Sequence, residues 1–253
     1  MKKAFIITSG IELDNSKPLT YSKIRTCFDT VDRFRHTVMT VASLDHVAED
    51  DDTMFLVDMS ENWESFRGVF SYQKNLVYVS VREEFPEIYE EVRSHPNKSR
   101  CETLLLSTFL SKYKDRLSLY DYFFKVSGRY FVDGSFNSNL FVEENINKLF
   151  FKRPFEHEFN ERWNYNIVDL RNSQGNNLLY QYPTTFFGWG KLRFDEMLDL
   201  FRVLEIILKH PLNQHYDIET LIYYFTRHFE QDIVPVDWTV YGWDGCSGGF
   251  LRY

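Results

Sequence analysis

The chain has little alanine, little cysteine and no long apolar run. Only Ala4, Ala42 and Ala48 supply alanine in 253 residues, against 24 Phe and 16 Tyr. That bias hints at an AT-rich coding genome, viral or bacterial, and carries no chemistry of its own. Cys27, Cys101 and Cys246 are far apart and odd in number, which excludes a disulfide framework and a cysteine zinc site. A reducing compartment is the simplest inference. The seven histidines are scattered without a His-x-x-x-His pair, so no zinc motif is present. Ser247-Gly248-Gly249 is not the G-x-S-x-G turn of a hydrolase nucleophile. No run of about 18 apolar residues exists to form a transmembrane segment, and Ala4 to Ile7 is too short for a signal peptide. A cytoplasmic protein is expected. The net charge of −8 excludes a broad nucleic-acid surface and leaves room for a local basic cleft.

What is present alternates. A chain of this length fits one domain at roughly 150 residues per domain. Lys3 to Thr8 reads as a first buried strand. From Thr30 to Val47 the positions Val31, Phe34, Val38, Val41, Ala42 and Leu44 recur at helical spacing, with Asp29 or Thr30 as cap. Thr53 to Val57 is a second strand ending at Asp58, Trp63 to Phe70 a helix, and Asn75 to Val81 a third strand. Helices over Phe85 to Arg93 and Glu102 to Tyr113 precede the strand Tyr122 to Val126. Beyond Gly134 the pattern is mixed. Leu149 to Pro154, Trp163 to Leu170 and Asn177 to Pro183 look extended, and Asp195 to Leu208 and Asp217 to Phe229 look helical. The tail from Tyr241 to Gly249 is a glycine-rich loop. Alternation in the first half predicts an α/β fold with a mostly parallel sheet flanked by helices.

The segment from Tyr120 to Val132 is the most informative. Lys125 and Arg129 flank Gly128 at the end of an apolar strand, where charge is costly without a partner. The carboxyl end of a strand is where open α/β sheets bind ligands. An anion between the two cations is one reading, phosphate being the commonest candidate. Pairing with nearby carboxylates is the other.

Four blocks then line up. They are Arg25 with Asp32-Arg33-Phe34-Arg35-His36-Thr37 and on to Leu44, followed by Asp58-Met59-Ser60; Asn97-Lys98-Ser99-Arg100-Cys101-Glu102; Phe124-Lys125-Val126-Ser127-Gly128-Arg129-Tyr130; and Asp217-Ile218-Glu219. Their order and spacing cover most of the chain. The set resembles the WavE-like lipopolysaccharide glycosyltransferases and their viral relatives, with Ser99 where that family often has Gly.

The resemblance implies a GT-A-like, Rossmann-like fold as one glycosyltransferase domain over 1–253. Residues 1–134 would form the half that binds the nucleotide-sugar and residues 135–253 the half that binds the acceptor. It implies transfer of a sugar from that donor to a hydroxyl. Many such enzymes hold a divalent metal on an Asp-x-Asp, and Ser127-Gly128-Arg129 takes that place here. Catalysis without a metal is therefore expected, Lys125 and Arg129 neutralising the leaving diphosphate. Asp133 and the run Asp50 to Asp52 keep a metal open, although the acidic turn Glu49 to Asp52 reads first as a solvated loop. Thr8, Ser9 and Gly10 would admit the donor's backbone approach, and Arg25, Arg33, Asp58, Lys98, Ser127, Gly128 and Tyr130 would contact it. Other roles are available: an ion pair of Arg33 with Asp29 or Asp32, a turn cap for Asp58, and an i,i+4 pair of Lys98 with Glu102. Glu219 is the first candidate base, with Asp217 second or a helix cap. The clusters Phe186-Phe187-Gly188-Trp189 and Tyr241-Gly242-Trp243 stack on sugars or fill the core, the core being favoured for Phe186 and Phe187. The acceptor stays open between a surface glycan and a hydroxymethylated base of phage DNA, for which Lys148, Lys152, Arg153, Lys191 and Arg193 would supply a groove. A catalytically silent nucleotide-binding protein is the third reading.

Overall fold

The computed structural model describes residues 1–20, 22–157, 179–213 and 216–253. The opening run Ala4-Phe5-Ile6-Ile7 is apolar on both faces, as a central strand needs, and it forms β1 (Lys3–Ser9). Helix α1 (Thr30–Val47) follows, capped by Asp29, whose carboxylate accepts the Asp32 amide at 2.8 Å. Next come β2 (Thr53–Asp58), α2 (Trp63–Phe70), β3 (Leu76–Ser80), α3 (Val81–Glu84), α4 (Pro86–Ser94), α5 (Lys98–Lys112) and α6 (Lys114–Leu117). Strand β4 (Tyr122–Ser127) then enters the middle of the sheet. The remainder is β5 (Tyr130–Val132), β6 (Leu149–Phe151), β7 (Phe155–His157), β8 (Leu179–Gln181), β9 (Phe186–Gly190), α7 (Phe194–Lys209), α8 (Ile218–Thr226), β10 (Ile233–Pro235), β11 (Val240–Trp243) and β12 (Phe250–Arg252).

Seven strands form one sheet in the order β10-β6-β9-β4-β1-β2-β3. All pairs in it are parallel except those that β9 makes with β4 and β6. The fold is therefore α/β and Rossmann-like, a mostly parallel sheet flanked by helices. Strands β6, β9 and β10 come from the second half of the chain, so one sheet runs through both halves. Alternate residues of β1 feed two cores. Ala4 and Ile6 pack with α4, α5, α7 and α8 on one face, while Phe5 and Ile7 join Phe124, Phe136, Phe141 and Trp238 on the other. Phe186, Phe187 and Trp189 are core residues. A second small sheet, β12-β11-β5, stands beside the end of β4. Among the described residues no helix is long and apolar enough to cross a membrane.

Three expectations are corrected. In α1 the buried face is Arg33, His36, Thr37, Thr40, Val41 and Leu44. Val31 and Val38, taken for the apolar stripe, are exposed. Helix α5 starts at Lys98, ahead of Glu102, because the Asn97 side chain accepts the Arg100 amide at 3.0 Å. The helix over Asp217 to Phe229 is α8 followed by a 3-10 segment, Arg227–Asp232, bent at Phe229. The expected extended segment Trp163 to Leu170, with Asn177 and Leu178, lies outside the described residues.

Candidate functional site

From β1 the chain steps outward to β2 and β3, then returns to the other side of β1 as β4. The carboxyl ends of β1 and β4 thus flank the point where strand order reverses, the place where open α/β sheets leave a crevice for ligands. A cleft of about 130 Å³ opens there. Thr8, Ser9 and Gly10 line it from β1, and Ser127, Gly128 and Arg129 from β4. Arg25, Arg33, Lys98 and Glu102 complete its polar wall. Nine of the thirteen residues expected at a site meet in this one cleft: Thr8, Ser9, Gly10, Arg25, Arg33, Lys98, Ser127, Gly128 and Arg129.

Its arginines lack carboxylate partners. Arg25 donates to the carbonyls of Lys17 (3.2 Å) and His95 (2.6 Å). Arg33 donates to the Gly10 carbonyl (2.5 Å) and the Thr26 hydroxyl (3.3 Å). The ion pair of Arg33 with Asp29 or Asp32 does not form, since Asp29 caps α1 and Asp32 lies near Arg35. Among the described residues no carboxylate comes within 4.0 Å of Arg25, Arg33 or Arg129; the ion pairs lie elsewhere. The buried Nε of Arg129 has no hydrogen-bond partner. Burial, then the charge of Arg129, lowers Arg33 to about 9. Burial, then Arg129, lowers Lys98 to about 8, although Cys246 with its sulfur 3.6 Å away acts in the opposite sense. Cations that desolvate and repel one another are costly in an empty cleft and well matched to a bound anion.

Backbone packing sets this geometry. The Thr37 hydroxyl lies 3.0 Å from the Arg33 carbonyl, 3.2 Å from the Gly128 carbonyl and 3.1 Å from the Ser9 hydroxyl, tying α1 to both strand ends. A Cβ on Gly128 would sit 3.1 Å from Ser9 Oγ and 3.2 Å from the Thr8 carbonyl. The loop after β11 covers one rim. Gly245 packs against the Arg129 guanidinium and its carbonyl accepts the Cys27 amide at 2.8 Å. Asp244 holds the turn through the amides of Cys246 (3.1 Å) and Ser247 (2.6 Å).

Lys125 is placed differently from the expectation. It is buried and does not share the cleft with Arg129. Its ammonium pairs with Glu102 and donates to the Ser127 hydroxyl (2.8 Å) and the Thr184 carbonyl (2.9 Å). That pairing also replaces the expected i,i+4 pair of Lys98 with Glu102. Beyond it, the Thr184 hydroxyl donates to Glu219 at 2.8 Å. Burial, then the charges of Asp217 and Glu102, pushes Glu219 up to about 7. Asp217 caps α8 by accepting the Thr220 amide at 2.6 Å. Ser99 is tied into the same region, its hydroxyl accepting the Ile218 amide at 3.0 Å.

Other expected contacts turn inward. Asp58 is fully buried and accepts from Tyr78 (2.6 Å) and from the amides of Ile11 (3.2 Å) and Ser60 (3.3 Å), so it works as a turn cap. Tyr130 is buried opposite Gly242 in the small sheet. Asp52 sits at the amino ends of the strands in a buried pair with Lys3 (3.0 Å), about 20 Å from the cleft at the usual rise per strand residue. Asp133 caps the Ser135 amide at 2.9 Å. Among the described residues no three His, Cys, Asp or Glu side chains are grouped to hold a metal ion. Of the cations expected in a nucleic-acid groove, Lys148 and Arg193 share Asp232, and Lys191 donates to the Ser118 carbonyl at 2.7 Å. Trp243 stacks on His36 with ring centroids 4.1 Å apart.

Thr37, Thr184 and the Gly245 loop were not anticipated. Thr37 carried a signal, standing one turn after Arg33 on a helix face; Thr184 carried none.

No protein-family model and no curated protein matches the chain.

Proposed function

We propose that this protein is a glycosyltransferase that takes a sugar from a nucleotide-sugar donor. The observation that carries the reading is the set of four cations, Arg25, Arg33, Lys98 and Arg129, at the switch point between β1 and β4. A donor diphosphate seated there meets fixed positive charge, and among the described residues no carboxylate lies within 4.0 Å of the three arginines. As the glycosidic bond breaks, negative charge grows on the leaving diphosphate. Preorganised cations in a partly desolvated cleft stabilise that charge without reorganisation, so the reaction needs no divalent metal. Gly10 and Gly128 let the strand ends pack closely around the cleft, since a Cβ on Gly10 would meet Leu13 and Met59 and one on Gly128 would meet Ser9 and Thr8. Glu219, poised near neutrality, accepts the proton of the attacking hydroxyl, which fits inversion at the sugar. The buried pair of Lys125 and Glu102 positions the wall between the cations and Glu219. A glycan is the favoured acceptor, because Lys148 and Arg193, needed for a DNA groove, are already paired with Asp232.

The test is nucleoside diphosphate release from a panel of nucleotide sugars, in chelator, with glycan acceptors added. Release from one donor is expected, and Arg129→Ala should lower it at least about 100-fold, the usual scale for losing a charge-stabilising group. Undiminished release by both Arg129→Ala and Arg33→Ala would remove the cation cluster from the reaction.

A further inference from the structure

A second cleft, of about 400 Å³, lies beyond the carboxyl ends of β6 and β10. Lys152, Arg153 and Arg252 line it, with Asp237, Pro183 and Tyr253. Three cations on one rim stand out on a chain of net charge −8. Among the described residues none of the three has a carboxylate within 4.0 Å, in contrast to Lys148 and Arg193. The Arg252 guanidinium lies 5.7 Å over the Tyr241 ring. Lys152 is half-buried, and burial lowers its pKa against the opposing pull of Asp237 and Asp133.

Both clefts lie at the carboxyl edge of the parallel strands, the first after β1 and β4 and the second after β6 and β10, with the residues that lead into β9 between them. Ser127, on the first, donates its amide to the Thr185 carbonyl at 3.0 Å. Pro183, on the second, is two residues away. Thr184 between them contacts Lys125 on one side and Glu219 on the other. Tyr253 closes the link. It lines the second cleft, its ring lies 6.1 Å from that of Tyr130, and the Glu219 charge acts on its phenol.

We infer that this second cleft seats the acceptor, and that the acceptor is a saccharide carrying an anionic group, phosphate or carboxylate, held by Lys152, Arg153 and Arg252. This rests on the glycosyltransferase reading and adds the chemical class of its second substrate. In the transfer the acceptor hydroxyl attacks the donor's anomeric carbon, its proton passes to Glu219, and the bond from that carbon to the diphosphate breaks with its electron pair leaving on the diphosphate. The two anionic substrates are then held by two separate sets of cations along one edge of the sheet, with their reacting groups meeting between them.

The test is calorimetric titration of the full chain with glucose 6-phosphate, glucuronate, glucose and inorganic phosphate. Two double variants are run beside it, Arg153→Ala/Arg252→Ala and Arg33→Ala/Arg129→Ala. Arg153 and Arg252 are exposed, so their removal leaves the melting temperature unchanged. The expected result is binding of an anionic sugar that weakens at least tenfold in the first variant and is unchanged in the second, with glucose bound far more weakly. The stronger of the two sugars identifies phosphate or carboxylate as the recognised group. Glucose binding as well as its anionic counterparts, inorganic phosphate binding as well as glucose 6-phosphate, or no effect of Arg153→Ala/Arg252→Ala would overturn the assignment. Nucleoside diphosphate binding is measured on the same samples. If it persists while no sugar binds, only the acceptor inference fails; if it is absent, the donor reading fails and the acceptor inference with it.

Discussion

At the residue scale, Glu219 is a carboxyl whose charge the fold opposes. Its carboxyl is raised from 4.5 to about 7, so the folded state prefers it protonated. Below pH 4.5 the group is neutral folded or unfolded and costs nothing. As pH rises toward 7 the unfolded chain releases the proton more readily, and the penalty grows to at most about 3 kcal/mol. Glu219→Gln keeps the acceptor for Thr184 and removes the charge. It should raise the melting temperature at pH 8, raise it little at pH 4, and abolish transfer; equal effects at both pH values would contradict the shift. Lys125 is the opposite case. It is buried against Glu102, and Lys125→Met strands that carboxylate, costing about 3 kcal/mol. Denaturant unfolding should show that loss, with recovery on adding Glu102→Leu. An unchanged midpoint for Lys125→Met alone would mean that the pair is not a structural one.

At the element scale, the legible and illegible parts of the sequence divide by physical cause. The limits of α1 follow from capping and helical period, and β1, β2 and β4 from short apolar runs buried on both faces. The buried face of α1 was not legible, because Arg33, His36 and Thr37 turn toward the cleft and strand ends while Val31 and Val38 face outward. Binary patterning fails where a helix serves a site rather than a core. The site itself was largely legible from Gly128, Arg129 and Arg33. The partner of Lys125 was not, since Glu102 reaches it only through the packing of α5 on β4 and no local spacing encodes that. The strand-end geometry has its own test. In Gly128→Ala the added methyl meets the Thr8 carbonyl, which cannot swing aside as a side chain would. A loss of about 1–3 kcal/mol is expected from such overpacking, read by thermal unfolding, together with weaker anion binding. Full retention of both would show the approach of β1 and β4 to be adjustable.

At the scale of the whole molecule, an acidic chain keeps two local islands of positive charge at the carboxyl edge of its sheet. The first island titrates. Lys98, lowered to about 8 by burial and by Arg129, loses its proton as pH rises through that value, while the arginines keep their charge. Anion affinity should therefore be flat up to about pH 7 and fall as pH rises through about 8 and Lys98 is neutralised. Transfer, which also needs Glu219 deprotonated, should rise through about 7 and give a bell. The measurement that tests the central claim most directly is calorimetric titration of the protein at about pH 7, in chelator, with UDP, GDP, CDP, dTDP and ADP, alongside Arg129→Ala. The account predicts that one of these nucleotides binds without metal and binds at least tenfold more weakly to the variant, whose melting temperature is unchanged. Binding only when manganese is supplied, or binding that Arg129→Ala leaves intact, would contradict it.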